Sequence, residues 1–444
     1  MTPTKEAART LLALVVVSIG AATFAMAFRI AAQLLYSELS TPTARAHDVL
    51  EVFTRLPLAA RFALPVLGGL LAGLVRRLSM RSPTHGVGEV MEAVVVGGTR
   101  ISVRATAWKA LGSWLAIVTG NSVGREGPLI QFGGALGSGV ASAFGISGHV
   151  ARALIAAGTA AGFAAAYNTP LAAVLFVVEI VTGVVVIDAL GMTLVATAIS
   201  TALVRATVGG GPIYGQRAFS TSSTRELVAY AALGVLAALV AQVFMRMLAR
   251  GEGLFARSNV PQPWRAALGG AMVGALAMAL PQVAGNGYEP LNVLLDGRYA
   301  VGLVAVLVLA KALATTASVS SGSPGGVFTP SLFIGGGLGL VWGHAVAGAL
   351  GAPGSEGGYA LVGMAAMIAA TTRAPLMAAV LVFELSGDYA IVLPLVLATA
   401  IATLLSRRLS VDSIYTAELR RRGLEWEMTL EGRQVRRSDE TPLA

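Results

Sequence analysis

The sequence predicts an all-α, polytopic membrane protein whose helices are partly broken and tilted. Of its 444 residues, 55% are hydrophobic and 12% are charged, whereas a soluble domain carries about 25% charged residues. Long apolar stretches recur along the chain, at residues 11–28, 58–75, 111–118, 129–144, 171–187, 190–203, 227–245, 266–280, 300–313, 332–350, 376–385 and 391–405. Crossing a bilayer takes about 20 apolar residues. The shorter stretches therefore predict broken, tilted or re-entrant helices.

The charged residues at the two ends of the chain predict its orientation in the membrane. Lys5 and Arg9 precede the first apolar stretch. The last stretch is followed by a series of arginines, Arg407, Arg408, Arg420, Arg421, Arg422, Arg433, Arg436 and Arg437. By the positive-inside rule both termini are then cytoplasmic. We interpret the net charge of +9 in this way, and not as nucleic-acid binding, and expect a multi-pass protein of the cell membrane.

Cysteine and histidine usage excludes several kinds of chemistry. The chain has no cysteine, and its four histidines form no HExxH pair, which excludes disulfides, thiol catalysis and a helical zinc site. We expect no enzyme activity, no metal and no cofactor. Two rival functions stay open as alternatives. One is an intramembrane hydrolase that uses Glu89, His85 and a serine, although no GxSxG motif is present. The other is a cation-coupled carrier of an organic solute.

An internal repeat divides the chain into two similar halves. Residues 127–137 match residues 329–339, with their proline and three glycines aligned. Residues 168–179 then match residues 373–384 in the same order, and each of these segments ends in a glutamate at an identical distance from a proline. Two similar halves in a membrane protein predict a duplicated transporter fold with the substrate site between the repeats.

Four short polar segments beside apolar stretches are candidate sites, because polar groups inside a membrane are costly and usually functional. They are residues 84–93, 120–129, 321–330 and 413–417. In the second and third, glycines precede a proline and then an apolar stretch, which is typical of a helix start. Helix starts offer free N–H donors and a partial positive charge, so they attract anions. Several such helix starts meeting in the membrane would bind a small anion without trapping it.

These segments resemble the signature regions of the CLC family of chloride channels and transporters. Gly124-Arg-Glu-Gly-Pro128 is similar to the family's GREGP loop, and Gly325-Gly-Val-Phe-Thr-Pro330 is similar to its GGxFxP loop. Tyr415 matches the pore tyrosine of the last helix. Together with the repeat, the resemblance covers about residues 11–422.

The resemblance implies a prokaryotic-type CLC fold without CBS domains. It places a membrane domain at residues 1–422, with two inverted-topology repeats at about 50–208 and about 260–422. Residues 423–444 would be a short charged cytoplasmic tail. We expect the segment after Tyr415 to consist of one helix end followed by disordered residues.

The resemblance also implies roles for individual residues. Charged Glu126 would occupy the outer anion position as a gate, and protonation would neutralise it and swing it away. Backbone N–H groups of Val327 and Phe328 and the hydroxyl of Tyr415 would hold the central anion. An ordinary ion pair between Glu126 and Arg125 is the alternative. The complete set of anion-binding candidates is His85, Gly86, Val87, Arg125, Glu126, Gly127, Val327, Phe328 and Tyr415, with Glu179 as a structural acid.

The sequence departs from the family's pattern in two places. His85 stands at a serine position, and Gly88 replaces a proline of the same loop. Either the His85 imidazole contributes to anion binding, or it packs as a neutral donor and only its backbone matters. At the second place, Glu179 is followed by Ile180, where many exchangers of the family have an internal proton-transfer glutamate. Isoleucine cannot carry a proton.

These observations predict transport of chloride or a similar small inorganic anion, with H+ as the coupled ion of an antiporter. The alternative is a passive voltage- or pH-gated chloride channel, which Ile180 favours. The resemblance further implies a homodimer formed through helices near residues 171–203 and 376–405. Lipid contact is the alternative for these apolar faces.

Overall fold

Helices make up almost all of the structure. The computed structural model describes residues 3–38, 46, 48–79, 86–97, 100–215, 224–350, 356–421, 423–429 and 432–437. The helices are α1 (Pro3–Glu38), α2 (Val49–Arg55), α3 (Leu58–Ser79), α4 (Gly86–Val95), α5 (Val103–Val118), α6 (Glu126–Ala143), α7 (Gly148–Tyr167), α8 (Pro170–Phe176), α9 (Ile187–Val208), α10 (Thr224–Arg257), α11 (Gln262–Ala279), α12 (Tyr288–Leu295), α13 (Val301–Ser320), α14 (Phe328–Leu350), α15 (Glu356–Thr372), α16 (Pro375–Ser386), α17 (Val392–Leu409) and α18 (Ile414–Arg421). A π-helical segment, Val177–Thr182, continues α8, and a 3-10 turn lies at Pro281–Val283.

Eight helical segments in the described ranges are long and apolar enough to cross a membrane. They are Thr4–Glu38, Leu58–Leu78, Gly148–Tyr167, Ala189–Thr207, Glu226–Arg257, Val301–Ser320, Phe328–Ala347 and Val392–Arg420. Two shorter apolar helical segments, Pro170–Thr182 and Pro375–Ser386, are of the broken kind that the sequence predicts. The predicted all-α, multi-pass membrane architecture is confirmed.

Glycines bring helices into close contact in the same way in both halves. α6 packs against α7, and α14 packs against α15. A Cβ added at Gly133 of α6 would collide with the carbonyl of Gly158 in α7, and one added at Gly335 of α14 would collide with the carbonyl of Gly363 in α15. Gly133 and Gly335 are equivalent positions of the repeat. Small residues allow membrane helices to approach this closely, so the duplication is present in the packing as well as in the sequence.

The short helices α8 and α16 join the two halves. Each begins at a proline that follows soon after a non-glycine residue with positive φ, Asn168 at 56° and Arg373 at 63°. Glu179 accepts hydrogen bonds from two N–H groups at the start of α16, at 3.2 and 2.7 Å. Glu384 accepts from two N–H groups at the start of α8, at 3.1 and 2.8 Å. A reciprocal contact of this kind requires an approximate two-fold relation between the halves, as expected for inverted-topology repeats.

The segment after α18 corrects one expectation. Two strands, β1 (Leu424–Thr429) and β2 (Gly432–Arg437), pair antiparallel, with Leu424 opposite Arg437. Leu424 is buried, and Trp426 donates its indole N–H to Asp412 at 3.2 Å. The expectation of disordered residues is therefore wrong for this part of the tail. This segment forms a strand because apolar Leu424 and Trp426 alternate with glutamates, and a period of two favours a strand.

Candidate functional site

The two glycine-containing loops of the repeat are hydrogen-bonded to each other. Gly124 donates its N–H to the Gly326 carbonyl at 2.6 Å, and Gly326 donates to the Gly124 carbonyl at 2.8 Å. Gly325 has a φ of 157°, and a Cβ added there would lie 2.5 Å from Cβ of Val123. Only glycine fits this combination of backbone conformation and close approach. The bridge holds the starts of α6 and α14 side by side.

Both of these helix starts point backbone N–H donors towards the site, and those of Glu126 and Thr329 face the Glu126 carboxyl. α6 begins at Glu126 and α14 begins at Phe328, and each has a proline, Pro128 or Pro330, as its third residue. The first N–H groups of a helix have no partner inside the helix, so proline in the first turn loses no hydrogen bond. The N–H groups ahead of each proline point away from the helix and, with the positive helix end, favour an anion.

Glu126 is the buried carboxylate of the site. Its side chain is 1% exposed. Oε1 accepts a hydrogen bond from the Tyr167 hydroxyl at 2.6 Å and another from the Thr329 hydroxyl. Oε2 is buried without a hydrogen-bond partner. One oxygen of Glu126 is therefore held by hydroxyls from α7 and α14, and the other is left as a free acceptor.

A cavity of about 760 Å³ connects the helix starts. Most of the predicted anion-site residues line it, namely Gly86, Val87, Glu126, Gly127, Val327, Phe328 and Tyr415. Its remaining walls come mainly from α10 and from the segment that joins α17 to α18. The cavity thus combines a buried carboxylate, the starts of α4, α6 and α14, and a tyrosine hydroxyl. This set provides donors for a small anion and contains a proton-accepting group.

Aromatic contacts position two of the lining residues. The Tyr415 ring packs edge-on against Phe176 of α8, with ring centroids 6.1 Å apart. Phe328 packs edge-on against Phe163 at 5.7 Å and contacts Tyr167 at the same centroid distance. Such contacts add about 0.5–1.5 kcal/mol beyond burial, so the donors at α14 and α18 are held on a rigid support.

One predicted residue, Arg125, does not line the cavity, and another, His85, is not among the described residues. Arg125 donates Nη2 to the Ala166 carbonyl at 3.2 Å, and its guanidinium lies 5.7 Å from the Tyr288 ring centre. It is not among the cavity-lining residues, so its charge acts on the start of α6 from outside. His85 lies outside the described residues, and α4 begins at the next residue, Gly86.

The position of the missing internal acid is apolar in the structure as well. Ile180 lies in the π-helical segment Val177–Thr182 and is 2% exposed. Glu179, its neighbour, is directed to the start of α16. A smaller cavity of about 230 Å³ is lined by Glu179, Arg373, Arg407 and Trp426 among others. Neither Glu179 nor Ile180 reaches the cavity that contains Glu126.

Three functional candidates were missed by the sequence analysis. Thr329 lies inside the quoted loop motif, so its hydroxyl beside Glu126 could have been anticipated. Glu418 lines the main cavity, and its spacing of three from Tyr415 places both on one helix face. Tyr167 is 41 residues from Glu126 along the chain, and no sequence signal pointed to it.

A family model and relatives of similar sequence point to the same protein family. A family model described as voltage gated chloride channel matches residues 66–407. The chain is 39% identical over 372 residues to a putative chloride channel protein ClcB-like of Ralstonia nicotianae, covering 82% of this chain and 87% of that protein. It is 34% identical over 420 residues to the voltage-gated ClC-type chloride channel ClcB of Salmonella typhimurium, covering 92% and 98%.

Solved structures share the fold. A slow cyanobacterial Cl−/H+ antiporter aligns with a TM-score of 0.84 at 24% identity, covering 93% of this chain and 98% of that one. A CLC-type fluoride/proton antiporter aligns with a TM-score of 0.74 at 23% identity, covering 94% and 98%.

Proposed function

Because this chain belongs to the voltage-gated chloride channel family, we propose that it carries chloride or a similar small inorganic anion across the membrane in exchange for protons, with Glu126 as the gate. The observation that carries this proposal is the surroundings of Glu126. The carboxylate is buried at the start of α6, it lines the cavity, and its Oε2 has no hydrogen-bond partner. An anion and a charged carboxylate compete for such a helix start.

Protonation of Glu126 is the step that couples the two ions. The charged carboxylate is stabilised by the positive end of α6 and by hydrogen bonds from Tyr167 and Thr329. A proton on the carboxylate removes its charge and weakens these interactions. The side chain then leaves the helix start, and an anion takes its place. Return of the charged carboxylate displaces the anion, so each passage depends on the movement of a proton.

The anion has donors on three helices in this proposal. The N–H groups of Val327 and Phe328 at the start of α14 and the Tyr415 hydroxyl bind it centrally, and Gly86 and Val87 bind it at the start of α4. Backbone dipoles attract an anion without the full charge that would trap it. Arg125 raises the positive potential at α6 from outside the cavity. A contribution of His85 to anion binding stays a prediction, because this residue lies outside the described ranges.

A passive chloride channel is the second candidate, and Ile180 is the observation that favours it. The side chain is buried and apolar where the family's exchangers have an internal acid. The names of related proteins include both types, since the Salmonella relative is called a voltage-gated channel and the cyanobacterial structure an antiporter. We retain antiport as the first candidate because Glu126 places a titratable group at the helix start where the anion is proposed to bind.

Exposed apolar surfaces and terminal charges support a proposal for assembly and location. Apolar side chains on α8, α9, α16 and α17 are exposed, including Leu171 at 52%, Leu376 at 54% and Leu393 at 63%. They form the homodimer contact near residues 171–203 and 376–405 in this proposal, and a monomeric mass in lipid nanodiscs would contradict it. The protein lies in the cell membrane with cytoplasmic termini, and an externally accessible tag after Ala444 would contradict that orientation.

Glu126→Gln tests the gate directly. Glutamine has nearly the same shape but does not titrate, so we expect anion flux through reconstituted vesicles to persist, to lose its dependence on pH and to lose coupled proton movement. Glu425→Gln on the exposed face of β1 makes the same charge change away from the cavity, and it serves as the matched control. Unaltered pH dependence in Glu126→Gln would remove Glu126 from the gate.

A further inference from the structure

Three further carboxylates, Glu252, Asp412 and Glu418, line the cavity that contains Glu126, and Glu418 is the one beside the start of α4. α18 packs against α4, and Glu418 of α18 lines the cavity together with Tyr415. The ideal position of a Cβ at Gly86 is 3.6 Å from both carboxylate oxygens of Glu418. The Glu418 carboxylate therefore lies over the first turn of α4, beside Gly86 and Val87, which we propose to bind the anion.

Gly88 provides the space for this arrangement. A Cβ at Gly88 would lie 3.1 Å from the carboxyl carbon of Glu418, closer than most non-bonded contacts allow. Gly88 is one of the two departures from the family's loop, which has a proline at this position. A side chain there would require the carboxylate to shift by a few tenths of an ångström away from α4. The departure at Gly88 and the carboxylate at Glu418 are thus two parts of one local structure.

We propose that Glu418 is the inner titratable group of the transport cycle, a carboxylate that competes with the anion for the start of α4. The positive end of α4 stabilises the charged carboxylate. A proton bound to a Glu418 oxygen removes that charge, loosens the carboxylate from α4 and leaves the donors to an anion. Proton binding and anion binding then promote each other, because linkage is reciprocal. This role for Glu418 rests on the proposed antiport. It supplies an internal proton-binding group for the exchange, which Ile180 cannot provide.

The surroundings of Glu418 contain more acids than bases. Within the described ranges, the charged or titratable residues that line the cavity with Glu418 are Glu126, Arg246, Glu252, Asp412, Tyr415 and Arg420, and those on the elements that pack against α18 are Glu89 and Glu92 on α4, Glu356 and Tyr359 on α15, and Glu425 and Glu427 on β1. Arg420 is paired with Asp412 at 2.8 Å, and Glu89 is bound by Gln131 at 2.5 Å. A proton taken up by a cavity carboxylate relieves repulsion among these acids.

Chloride affinity measured in the Glu126→Gln variant isolates the effect of Glu418, because Glu126 can no longer titrate. In purified Glu126→Gln protein, we expect calorimetric chloride affinity to rise roughly fivefold or more on going from neutral to acidic pH, the lower end of ordinary coupling. Glu126→Gln with Glu418→Gln should bind chloride with a pH-independent affinity. Glu126→Gln with Glu425→Gln should keep the pH dependence. Equal pH dependence with and without Glu418 would overturn the proposal.

Ion flux separates this proposal from the proposed function. In vesicles, Glu418→Gln should conduct chloride with far fewer protons moved per chloride than the wild type. A wild type that moves no protons contradicts antiport itself. A coupled wild type and an equally coupled Glu418→Gln overturn the role of Glu418 alone. If Glu418→Gln does not fold, Glu418→Asp withdraws the carboxylate from α4 by one methylene, and unchanged coupling in that variant also overturns the proposal. Loss of coupling in Glu252→Gln instead would assign the inner acid to α10.

Discussion

The two oxygens of Glu126 have different surroundings, and this difference is the basis of the gate. Oε1 accepts hydrogen bonds from Tyr167 and Thr329, whereas Oε2 is buried without a partner. Hydrogen bonds from hydroxyls to a carboxylate contribute about 1.5–3 kcal/mol each, and a buried acceptor without a donor costs about 1–3 kcal/mol. The charged side chain is therefore held in place but not fully satisfied, which suits a group that must leave.

Tyr167→Phe is expected to open the gate at higher pH. Phenylalanine removes one hydrogen bond that stabilises the charged form of Glu126. Protonation of the carboxylate then occurs at a higher pH. A loss of about 1.5–3 kcal/mol corresponds to a shift of roughly one to two pH units in the curve of anion flux against pH. Tyr230→Phe removes a hydroxyl from a tyrosine that stacks on Tyr359, and it is the control. A flux curve for Tyr167→Phe that overlies the wild type would show that this hydrogen bond does not hold the gate.

The sequence predicted residues of the site only where they belong to a recognisable motif. Glu126, Val327 and Phe328 lie in quoted loops, and the structure brings them to one cavity. Arg125 lies in the same loop but is directed to the Ala166 carbonyl and the Tyr288 ring. Adjacent residues on a helix point in different directions, so a shared motif does not give a shared environment. Contacts such as that of Tyr167 depend on tertiary packing and had no local signal.

At the scale of helices, close packing through glycine fixes where the donors lie. α6 and α14 carry the helix starts of the site, and each is in contact with the next helix through a pair of glycines, Gly133 with Gly158 and Gly335 with Gly363. The approach of two backbones leaves no room for a side chain. The start of each helix is thereby positioned by contacts along its length, away from the cavity.

Gly133→Val is expected to destabilise the protein by about 1–3 kcal/mol, the usual cost of overpacking. The added side chain would collide with the Gly158 carbonyl, and backbone cannot move aside as a flexible side chain can. Gly191→Ala of α9, where a Cβ meets no atom within 4 Å, should be neutral or stabilising. Thermal unfolding in detergent measures both variants. A Gly133→Val protein as stable as Gly191→Ala would contradict the packing described for α6 and α7.

Secondary structure was predicted best where one signal dominated. Apolar stretches gave the membrane helices, because burial in lipid requires internally satisfied backbone groups. The β1–β2 hairpin was missed, since its alternating pattern around Leu424 and Trp426 is short and lies in a charged segment. The π-helical segment Val177–Thr182 was also not anticipated, because it depends on packing at the junction of the halves.

For the whole molecule, the two-fold relation between the halves explains why the site forms. Glu179 of the first half accepts hydrogen bonds from the start of α16, and Glu384 of the second half accepts them from the start of α8. Gly124 and Gly326 exchange backbone hydrogen bonds. Equivalent helix starts from both halves therefore meet at one cavity. The internal repeat predicted this arrangement, but it did not indicate which ion couples to the anion, because coupling depends on individual carboxylates.

The reversal potential of the reconstituted wild-type protein tests antiport most directly. Purified protein in vesicles is placed under a fixed chloride gradient, and the voltage of zero current is measured with and without a pH gradient. We expect the pH gradient to shift this voltage, because each anion that passes is exchanged for protons through Glu126. A reversal potential set by chloride alone, together with chloride flux, would contradict antiport and identify a passive channel with Ile180 as its structural cause.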